Sequence, residues 1–566
     1  MKGKISYRIT GAARLFTGLL AAALLNGQIA TAKPLVHDAE YYVLEKQNGE
    51  TWALEDEGLD KRLAEFRKKN GGKSPNVFYI LIDDIGFGDL GDQTLNAIRG
   101  YKTPNINEFA RAGMRLARMY TEPSCTPTRV AFMTGRHPFR NGMGSTAVDI
   151  SGFGLAEEEV TIAEVLSDSG YNTAHIGKWH MGDIREAWPN MQGFDYAAFP
   201  IHQQGQLTIF HDDAADEEIS IGIGKNNYDD RYTMDEWLRT DASSMVTGVE
   251  GERGKNVREV YMEAGERWTE AKYHEMNVRY QNQAKEQLRK LAKADKPFFL
   301  QYWPLYPLTG PRTTTDRYTT PNGGIYVEKM KLVDKWIGEL MTEMDELGIA
   351  DNTLVVIMGD NGHFTKYSPG SGYTPMVFRG GKGSTLEGGV RVDAFVRWPG
   401  MIEADSVAGD IIHVSDLFTT IARLGDGTDK IPTDRVIDGI DQTSLLLNGD
   451  TYSRRDYVFL YNINNLERIV KEQYKFDLSS GKENAILANF YDLFRDTREE
   501  WPVSTEVGAW GGAKFVRMVN RHVARKAKYP DAGPATGKPY AGIDNLRPET
   551  KAAVQEFLYM MKTPEM

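Results

Sequence analysis

One continuous apolar run and three further candidate strands, separated by long segments that include helical patterns, dominate the hydrophobic pattern of the chain. They cover residues 77–82, 171–176, 297–302 and 353–358. Short runs without polar alternation are typical of strands that are buried on both faces of a parallel sheet. Because the intervening segments include helical patterns such as 327–347, the chain predicts an α/β fold around a large, mostly parallel or mixed sheet.

Three other parts of the chain have a different pattern. Residues 33–74 are polar with one apolar stripe at helical spacing, and 211–290 begin acidic, which indicates an inserted segment with a solvated surface. After residue 450, segments 457–461 and 468–476 predict short strands, and 549–561 predict a terminal helix. We therefore predict an N-terminal extension (33–74), a large α/β domain (75–450) and a smaller C-terminal α+β subdomain (451–566).

The first residues predict an export signal. A basic start precedes an apolar run over 15–25, and Ala30-Thr31-Ala32 offers a small-residue cleavage site. The run is shorter than the roughly 20 apolar residues of a membrane-spanning helix. We expect a signal peptide over 1–32, no stable membrane span, and a periplasmic or secreted protein.

Composition narrows the class of partner. The chain has 566 residues, of which 26% are charged, and its formal net charge is -12. This charge argues against nucleic acid, whose phosphates favour a basic surface. An anionic substrate would therefore need a locally positive pocket. The single cysteine, Cys125, excludes an intramolecular disulfide.

Polar residues stand at the ends of three of the four predicted strands. Asp83 and Asp84 follow the first, Gly177-Lys178-Trp179-His180 ends the second, and Asp360-Asn361-Gly362 follows the fourth. Ligands of open α/β sheets bind beyond the carboxyl ends of the strands. An oxygen-only set of carboxylates and an amide suits Ca²⁺ or Mg²⁺. Taken singly, each motif also fits a helix cap or a tight turn.

The segment around Cys125 carries the strongest signal. Pro127 suits the first turn of a helix, so Cys125 is expected at a helix N-terminus, where backbone N–H groups favour an anion. Arg129 and Arg136 add positive charge.

This segment resembles the sulfatase family at its defining signature, C-x-P-x-R followed by T-G-R. The resemblance extends over about 75–450 and includes the strand-end motifs above and the run 380–391; residues 491–496 are similar to the family's C-terminal segment. It implies an alkaline-phosphatase-like fold with a sulfatase catalytic domain over 75–450. It also implies a sulfuric ester hydrolase, arylsulfatase-like, that cleaves aryl or carbohydrate sulfate monoesters.

The resemblance also implies the chemistry. A separate formylglycine-generating enzyme reads the C-x-P-x-R segment in the unfolded chain and converts Cys125 to formylglycine. The aldehyde is hydrated to a geminal diol. One hydroxyl attacks sulfur and expels the alcohol, and the other helps to eliminate sulfate, which divides the reaction into two easier steps.

Site residues are carried over from the family by their motifs. Ca²⁺ is expected to be held, together with the modified residue 125, by Asp83, Asp84, Asp360 and Asn361. Arg129 is expected to steady the diol and His180 to transfer protons, and Lys178 and Lys382 are expected to bind sulfate oxygens.

The sequence departs from the family at one place. Many members have a histidine after the third strand that assists the leaving group, whereas residues 302–309 contain none. His202, His211 and His363 are candidate substitutes. Two other functions stay open at this point: a phosphonate or phosphate ester hydrolase on the same fold, and a non-catalytic binder of sulfated glycans.

Overall fold

The computed structural model describes residues 34–98, 100–147, 152–200, 246–255, 257–261, 270–307, 324–363, 377–449, 452–481, 489–503 and 505–538. The predicted signal peptide, the acidic start of the 211–290 segment and the predicted helix over 549–561 lie outside these residues. No helix of the described chain is both long enough and apolar enough to cross a membrane.

The helices of the described chain are α1 (Ala39–Lys69), α2 (Gln93–Ile98), α3 (Pro104–Arg111), α4 (Cys125–Thr134), α5 (Ile162–Asp168), α6 (Glu270–Ala292), α7 (Gly324–Glu346), α8 (Glu387–Val390), α9 (Asp416–Leu424), α10 (Thr443–Asn448) and α11 (Thr505–Lys528). Short 3₁₀ turns lie at Pro138–Asn141, Arg185–Ala187, Pro189–Met191, Ala350–Asn352, Thr428–Lys430 and Leu478–Gly481.

The strands are β1 (Asn76–Ile82), β2 (Met114–Tyr120), β3 (Phe153–Gly154), β4 (Asn172–Gly177), β5 (Tyr196–Phe199), β6 (Val246–Glu252), β7 (Arg258–Tyr261), β8 (Phe298–Trp303), β9 (Thr353–Gly359), β10 (Arg391–Val392), β11 (Ala394–Arg397), β12 (Ser406–His413), β13 (Tyr457–Asn462), β14 (Asn465–Lys471), β15 (Tyr474–Asp477), β16 (Asn489–Asp492) and β17 (Ala535–Thr536). The four predicted main strands correspond to β1, β4, β8 and β9, with boundaries that differ by at most one residue at each end.

The main sheet is mixed and has eleven strands in the described chain. Its order is β10-β2-β11-β9-β1-β8-β4-β5-β6-β7, and β12 pairs with β2. The central strands β9, β1, β8 and β4 are parallel, whereas β11 runs antiparallel to β9. The predicted mostly parallel or mixed sheet is confirmed.

Strand β1 shows why a continuous apolar run is needed at the centre. Val77, Tyr79 and Leu81 pack into one hydrophobic cluster, which contains residues of α4, α5 and α9. Their neighbours in the strand pack into another cluster, with α3, α6 and α7. Successive side chains of a strand point to opposite faces, so a strand covered by helices on both sides must be apolar throughout.

Where it is described, the 211–290 segment forms part of the main sheet and of the core. Strands β6 and β7 extend the main sheet beyond β5. Helix α6 packs Tyr273, Met276, Tyr280, Ala284 and Leu288 into the core. Where they are described, residues 246–255, 257–261 and 270–290 therefore belong to the main sheet and to a helix that packs on it, which the sequence did not predict.

A four-stranded antiparallel sheet, β13-β14-β15-β16, forms the smaller C-terminal unit. The sequence predicted one strand over 468–476, but the chain turns at Glu472, whose φ is 55°. That turn divides the segment into β14 and β15.

The two ends of the described chain meet. Helix α1 packs against α10 and α11. Asp38 caps α1 by accepting from the backbone nitrogen of Ala39 at 2.6 Å. The same carboxylate accepts from Arg140 and from His522 of α11, each at 2.8 Å.

Candidate active site

Parallel strands bring the sequence-predicted acidic residues together at one edge of the main sheet. Asp83 and Asp84 follow β1, and Asp360 and Asn361 follow its neighbour β9. The backbone nitrogen of Asp84 donates to Oδ1 of Asp360 at 2.9 Å, and Nδ2 of Asn361 donates to Oδ1 of Asp84 at 2.8 Å. All four side chains are buried.

Helix α4 directs its first residue at this cluster. It begins at Cys125, with Ser124 as the N-cap, as Pro127 predicted. The sulfur of Cys125 and one oxygen each of Asp83 and Asp360 lie within 4.8 Å of one another. The thiol therefore lies between a helix N-terminus and the acidic edge of the sheet.

Three basic side chains enclose the carboxylates. Arg129 bridges Asp83 and Asp360, with Nη2 donating to both at 2.8 Å. Nζ of Lys178 lies 2.7 Å from Oδ1 of Asp83. Nζ of Lys382, which is half-buried, lies 2.8 Å from Oδ1 of Asp84. The structure thus brings together every residue that the sequence nominated for binding metal and sulfate.

Burial and neighbouring charge move the pKa values of this cluster in opposite directions. Burial raises the pKa of Asp360 to about 7, and the nearby Asp83 carboxylate adds to the effect. Burial acts the same way on Asp83, but Lys178 and Arg129 outweigh it and lower that pKa. Burial disfavours the charged form of Lys382, yet Asp84 and the other acidic groups hold its pKa well above the usual value.

His180 lies at the same edge in a strained backbone conformation. Its φ is 63°, in the left-handed region that favours glycine. Its carbonyl accepts from Oγ1 of Thr126 at 2.9 Å, which connects this loop to the first turn of α4. Neither ring nitrogen has a hydrogen-bond partner among the described residues. Burial, with Lys178 and Arg129 adding to it, holds the pKa of His180 well below its usual value.

The contact of Trp303 with Arg129 and the tight glycine contacts of the site were not predicted from the sequence. The Arg129 guanidinium lies 4.8 Å from the Trp303 ring centre. A Cβ on Gly177 would lie 2.1 Å from the carbonyl oxygen of Trp303, and one on Gly362 would lie 1.7 Å from the carbonyl oxygen of Gly388. The only signal was positional, since Trp303 ends a strand whose neighbours end in charged motifs.

Some residues that the sequence nominated for the site do not lie at the thiol or lie outside the described residues. Arg136 follows the C-terminal end of α4, and its guanidinium binds Glu159 and the carbonyl of Val436. It therefore adds no charge at the thiol, contrary to the sequence expectation. His363, in contrast, stays beside the site, because it follows Asn361-Gly362 and its carbonyl accepts from the backbone nitrogen of Lys382 at 2.7 Å; its Nδ1 lies 2.9 Å from Oδ2 of Asp89. His202 and His211 lie outside the described residues.

Comparison with known proteins gives a consistent result. The family model described as Sulfatase matches residues 75–427, which is more than half of the chain. Steryl-sulfatase of Rattus norvegicus is 30% identical over 432 residues, covering 69% of this chain and 73% of the relative. N-acetylgalactosamine-6-sulfatase of Canis lupus familiaris is 29% identical over 413 residues, covering 71% of each.

A solved structure agrees over most of the fold. The PsFucS1 sulfatase from Pseudoalteromonas sp. superposes with a TM-score of 0.73 at 28% identity, covering 85% of this chain and 96% of that one. The alkaline-phosphatase-like architecture predicted above is thus that of a solved sulfatase. The chain belongs to the sulfatase family and is a sulfate ester hydrolase.

Proposed function

We propose that the chain is a calcium-dependent sulfatase of the cysteine type, in which Cys125 is converted to formylglycine. The observation that carries this proposal is the position of the thiol. It lies at the N-terminus of α4, within 4.8 Å of oxygens of two carboxylates from different strands. An unmodified buried cysteine is ordinarily a small apolar side chain, and this environment is strongly charged.

The residues present fit a hard divalent cation. Asp83, Asp84, Asp360 and Asn361 offer only oxygen ligands, which Ca²⁺ prefers. Oδ2 of Asp83 and Oδ1 of Asn361 are buried and have no hydrogen-bond partner among the described residues. Buried polar atoms are nearly always bonded, so these two atoms favour a missing ligand. When bound, Ca²⁺ would act as a Lewis acid towards the sulfate group.

The basic residues suit an anionic ester once a cation is bound. Three carboxylates and three basic side chains have formal charges that sum to zero. A divalent cation would therefore leave a net charge of about +2 for the substrate. Lys178 and Lys382 would then hold sulfate oxygens. Arg129 is fully buried and bonded to Asp83 and Asp360, so we assign it the orientation of those carboxylates and the steadying of the modified residue.

His180 fits proton transfer in this setting. The low pKa of its imidazole keeps the ring neutral at neutral pH, and both nitrogens are without partners among the described residues. A neutral imidazole can accept a proton at one nitrogen or donate from the other. We assign His180 the proton exchange at the modified side chain of residue 125.

The substrate is proposed to be an aryl or carbohydrate sulfate monoester. The relatives of this chain include arylsulfatase D of Homo sapiens and the N-acetylgalactosamine-6-sulfatase of Canis lupus familiaris, so names of both leaving-group types occur among them. A general acid contributes about 10²–10⁴ in rate when the leaving oxygen is basic. Rates on a series of sulfate esters that fall steeply with leaving-group pKa would indicate an aryl substrate. A shallow series that steepens in His363→Ala would identify His363 as the acid.

Export and maturation complete the proposal. A periplasmic or secreted protein starting at Lys33 and modified by a formylglycine-generating enzyme fits the sequence signals. N-terminal sequencing of the exported protein tests the cleavage after Ala32. The assignment of 75–450 as the catalytic domain and 451–566 as a separate subdomain is part of the same proposal.

Mass spectrometry tests the modification. The tryptic peptide 119–129 of active protein should carry the mass of an aldehyde instead of a thiol at position 125. Full activity with an unmodified thiol would contradict the proposal.

Chelation tests the cation. Removal of metal should lower both activity and melting temperature, and calcium should restore both. In Asp84→Asn the melting temperature should no longer respond to calcium, whereas Asp351→Asn, which alters an exposed carboxylate, should respond as the wild type does. Identical responses of both variants would place the cation elsewhere.

A further inference from the structure

A second buried group of metal-ligand side chains lies on a different part of the fold. Glu122, His137 and His413 each offer one ligand atom, and these three atoms lie within 4.8 Å of one another. Their exposed fractions are 2%, 2% and 1%. They come from the loop before α4, the loop after it and the end of β12. None of them belongs to the cluster around Cys125.

Hydrogen bonding explains only part of this arrangement. Nδ1 of His137 lies 2.7 Å from Oε1 of Glu122, which is a good hydrogen bond. Nε2 of His413 faces the same oxygen from 3.7 Å, too far for a hydrogen bond. That nitrogen has no partner among the described residues. A proton shared by Glu122 and His137 would account for the first contact and leave the buried His413 nitrogen unexplained.

The distances suit one ion held by all three groups. Ligand atoms about 2.0–2.2 Å from a tetrahedral zinc ion lie roughly 3.3–3.5 Å apart. The separation of His413 and Glu122, 3.7 Å, is already close to this range. Glu122 and His137 would have to separate by roughly 0.6 Å to reach it.

His413 is also held as a metal-ligating histidine usually is, through its other ring nitrogen. The other ring nitrogen of His413, Nδ1, lies 2.8 Å from Oγ of Ser415. The backbone nitrogen of His413 donates to Asp416 at 2.9 Å, and that of His137 donates to Asp438 at 2.7 Å. The Ser415 contact orients the His413 ring, and the two backbone contacts fix the chain segments that carry the histidines.

We propose that Glu122, His137 and His413 form a second, structural metal site that takes Zn²⁺ or a similar transition-metal ion. Two imidazoles and one carboxylate are a ligand set of zinc and leave one position for a water molecule. The ion would join three segments of the chain beside the active site. Oγ1 of Thr128 in α4 bonds both the backbone nitrogen and the carbonyl of Glu122, each at 3.1 Å, so the site would brace the helix that begins at Cys125.

The test uses the full-length protein, stripped of metal and then saturated with calcium. Added Zn²⁺ should be retained at about one ion per chain after desalting, as measured by elemental analysis, and should raise the melting temperature. His413→Asn should abolish this retention. Ser415→Ala, which removes an outer contact, should weaken Zn²⁺ affinity about 10–100-fold.

Two further experiments distinguish this proposed site from the proposed calcium site. Asp84→Asn should lose the calcium response and keep the zinc, so the failure of one proposal leaves the other intact. Wild-type protein loaded with Co²⁺ in excess calcium should show the intense visible bands of a four-coordinate nitrogen–oxygen site, a measurement that does not depend on variants folding. Wild-type protein that retains no zinc, retention unchanged in His413→Asn, or zinc lost in Asp84→Asn would each overturn the proposal.

Discussion

Two buried charged clusters in this molecule look alike in composition and differ in how completely their atoms are bonded. In the active-site cluster, Asp83 and Asn361 each keep a buried oxygen without a hydrogen-bond partner among the described residues. In the other, Arg455 binds Asp416 through Nε and Nη2, and its remaining nitrogen donates to the carbonyl of Tyr457. Asp416 also accepts from the backbone nitrogens of His413 and Ile440.

This difference in bonding distinguishes the candidate active site from an ion pair that only stabilises the fold. Burial of charge alone does not mark an active site, because the Arg455–Asp416 pair is as buried as the catalytic carboxylates. What distinguishes the catalytic edge is spare bonding capacity: oxygens held in place by the fold and left for a ligand. We therefore expect changes at the catalytic edge to affect rate, and changes at the Arg455–Asp416 pair to affect stability.

The largest effect is expected at the thiol. Cys125→Ala should reduce the rate of sulfate ester hydrolysis on the order of 10⁶-fold, the typical loss when a covalent nucleophile is removed. Its stability should change by about 1 kcal/mol or less, since one small buried side chain replaces another. Thr134→Ser, at the other end of α4, is the matched control and should retain activity. Substantial activity in Cys125→Ala would remove the thiol from the mechanism.

The structural pair should show the opposite behaviour. Arg455→Met leaves Asp416 buried without its partner, and breaking such a pair costs about 3–5 kcal/mol of unfolding free energy. Activity per folded molecule should remain near the wild-type value. Urea unfolding measures the loss, with Arg435→Met as control, because a surface pair such as Arg435–Asp434 contributes about 0–1 kcal/mol. Equal losses in both variants would contradict the comparison.

A single lysine at the catalytic edge should affect rate more than folding. Lys382→Met is expected to lower kcat about 10²–10³-fold, because a cation aimed at charge that develops in the transition state is lost. Its stability should change less than that of Arg455→Met, since Lys382 is half-buried and partly solvated. Steady-state kinetics and urea unfolding of the same preparation check both statements, with the exposed Lys335→Met as control. A stability loss larger than that of Arg455→Met would reverse the assignment.

The smallest effect concerns a buried group that stays uncharged. Burial lowers the pKa of His37 from 6.5 to about 4, although the carbonyl of Ile437 partly opposes this. Between these two values the unfolded chain binds the proton more readily, so native stability is complete above pH 6.5 and falls as pH drops towards 4. The shift corresponds to about 3 kcal/mol. His37→Gln should remove this share of the acid sensitivity in urea unfolding, and an unchanged pH slope would contradict it.

The sequence predicted the central strands of the main sheet better than the outer ones. Strands β1, β8 and β9 are almost continuously apolar because helices cover the sheet on both faces, so their pattern is local and readable. Strand β4 is less apolar, since Thr173 and His175 are buried in it. Strand β2 escaped prediction because Arg115 and Arg118 interrupt it. Their guanidiniums find distant partners: that of Arg115 binds the carbonyl of Gly91 at 2.5 Å, and that of Arg118 binds the carbonyl of Glu472. Such pairings are invisible in a local pattern.

The candidate site, too, was predicted only in part from the sequence. Residue types and strand ends were sufficient to nominate Asp83 and Asp360, because chain direction places the ends of parallel strands together. Cys125 was nominated by the signature around it and by Pro127, which predicted the start of a helix. The bridging position of Arg129 and its stacking on Trp303 depend on how separate segments pack. Arg136 shows the limit in the other direction, because it follows the C-terminal end of α4, whereas Cys125 begins the helix.

The contact between Asp38 and His522 bears on the order in which the chain can reach its final packing. These residues are 484 positions apart, so α11 must be synthesised before the start of α1 can make this contact. Arg140, close after the Cys125 helix in sequence, shares the same carboxylate. Until then the region around the thiol lacks part of its final packing. If residue 125 is modified in the unfolded chain, as proposed above, the modifying enzyme would have to act before α11 is synthesised and makes this contact.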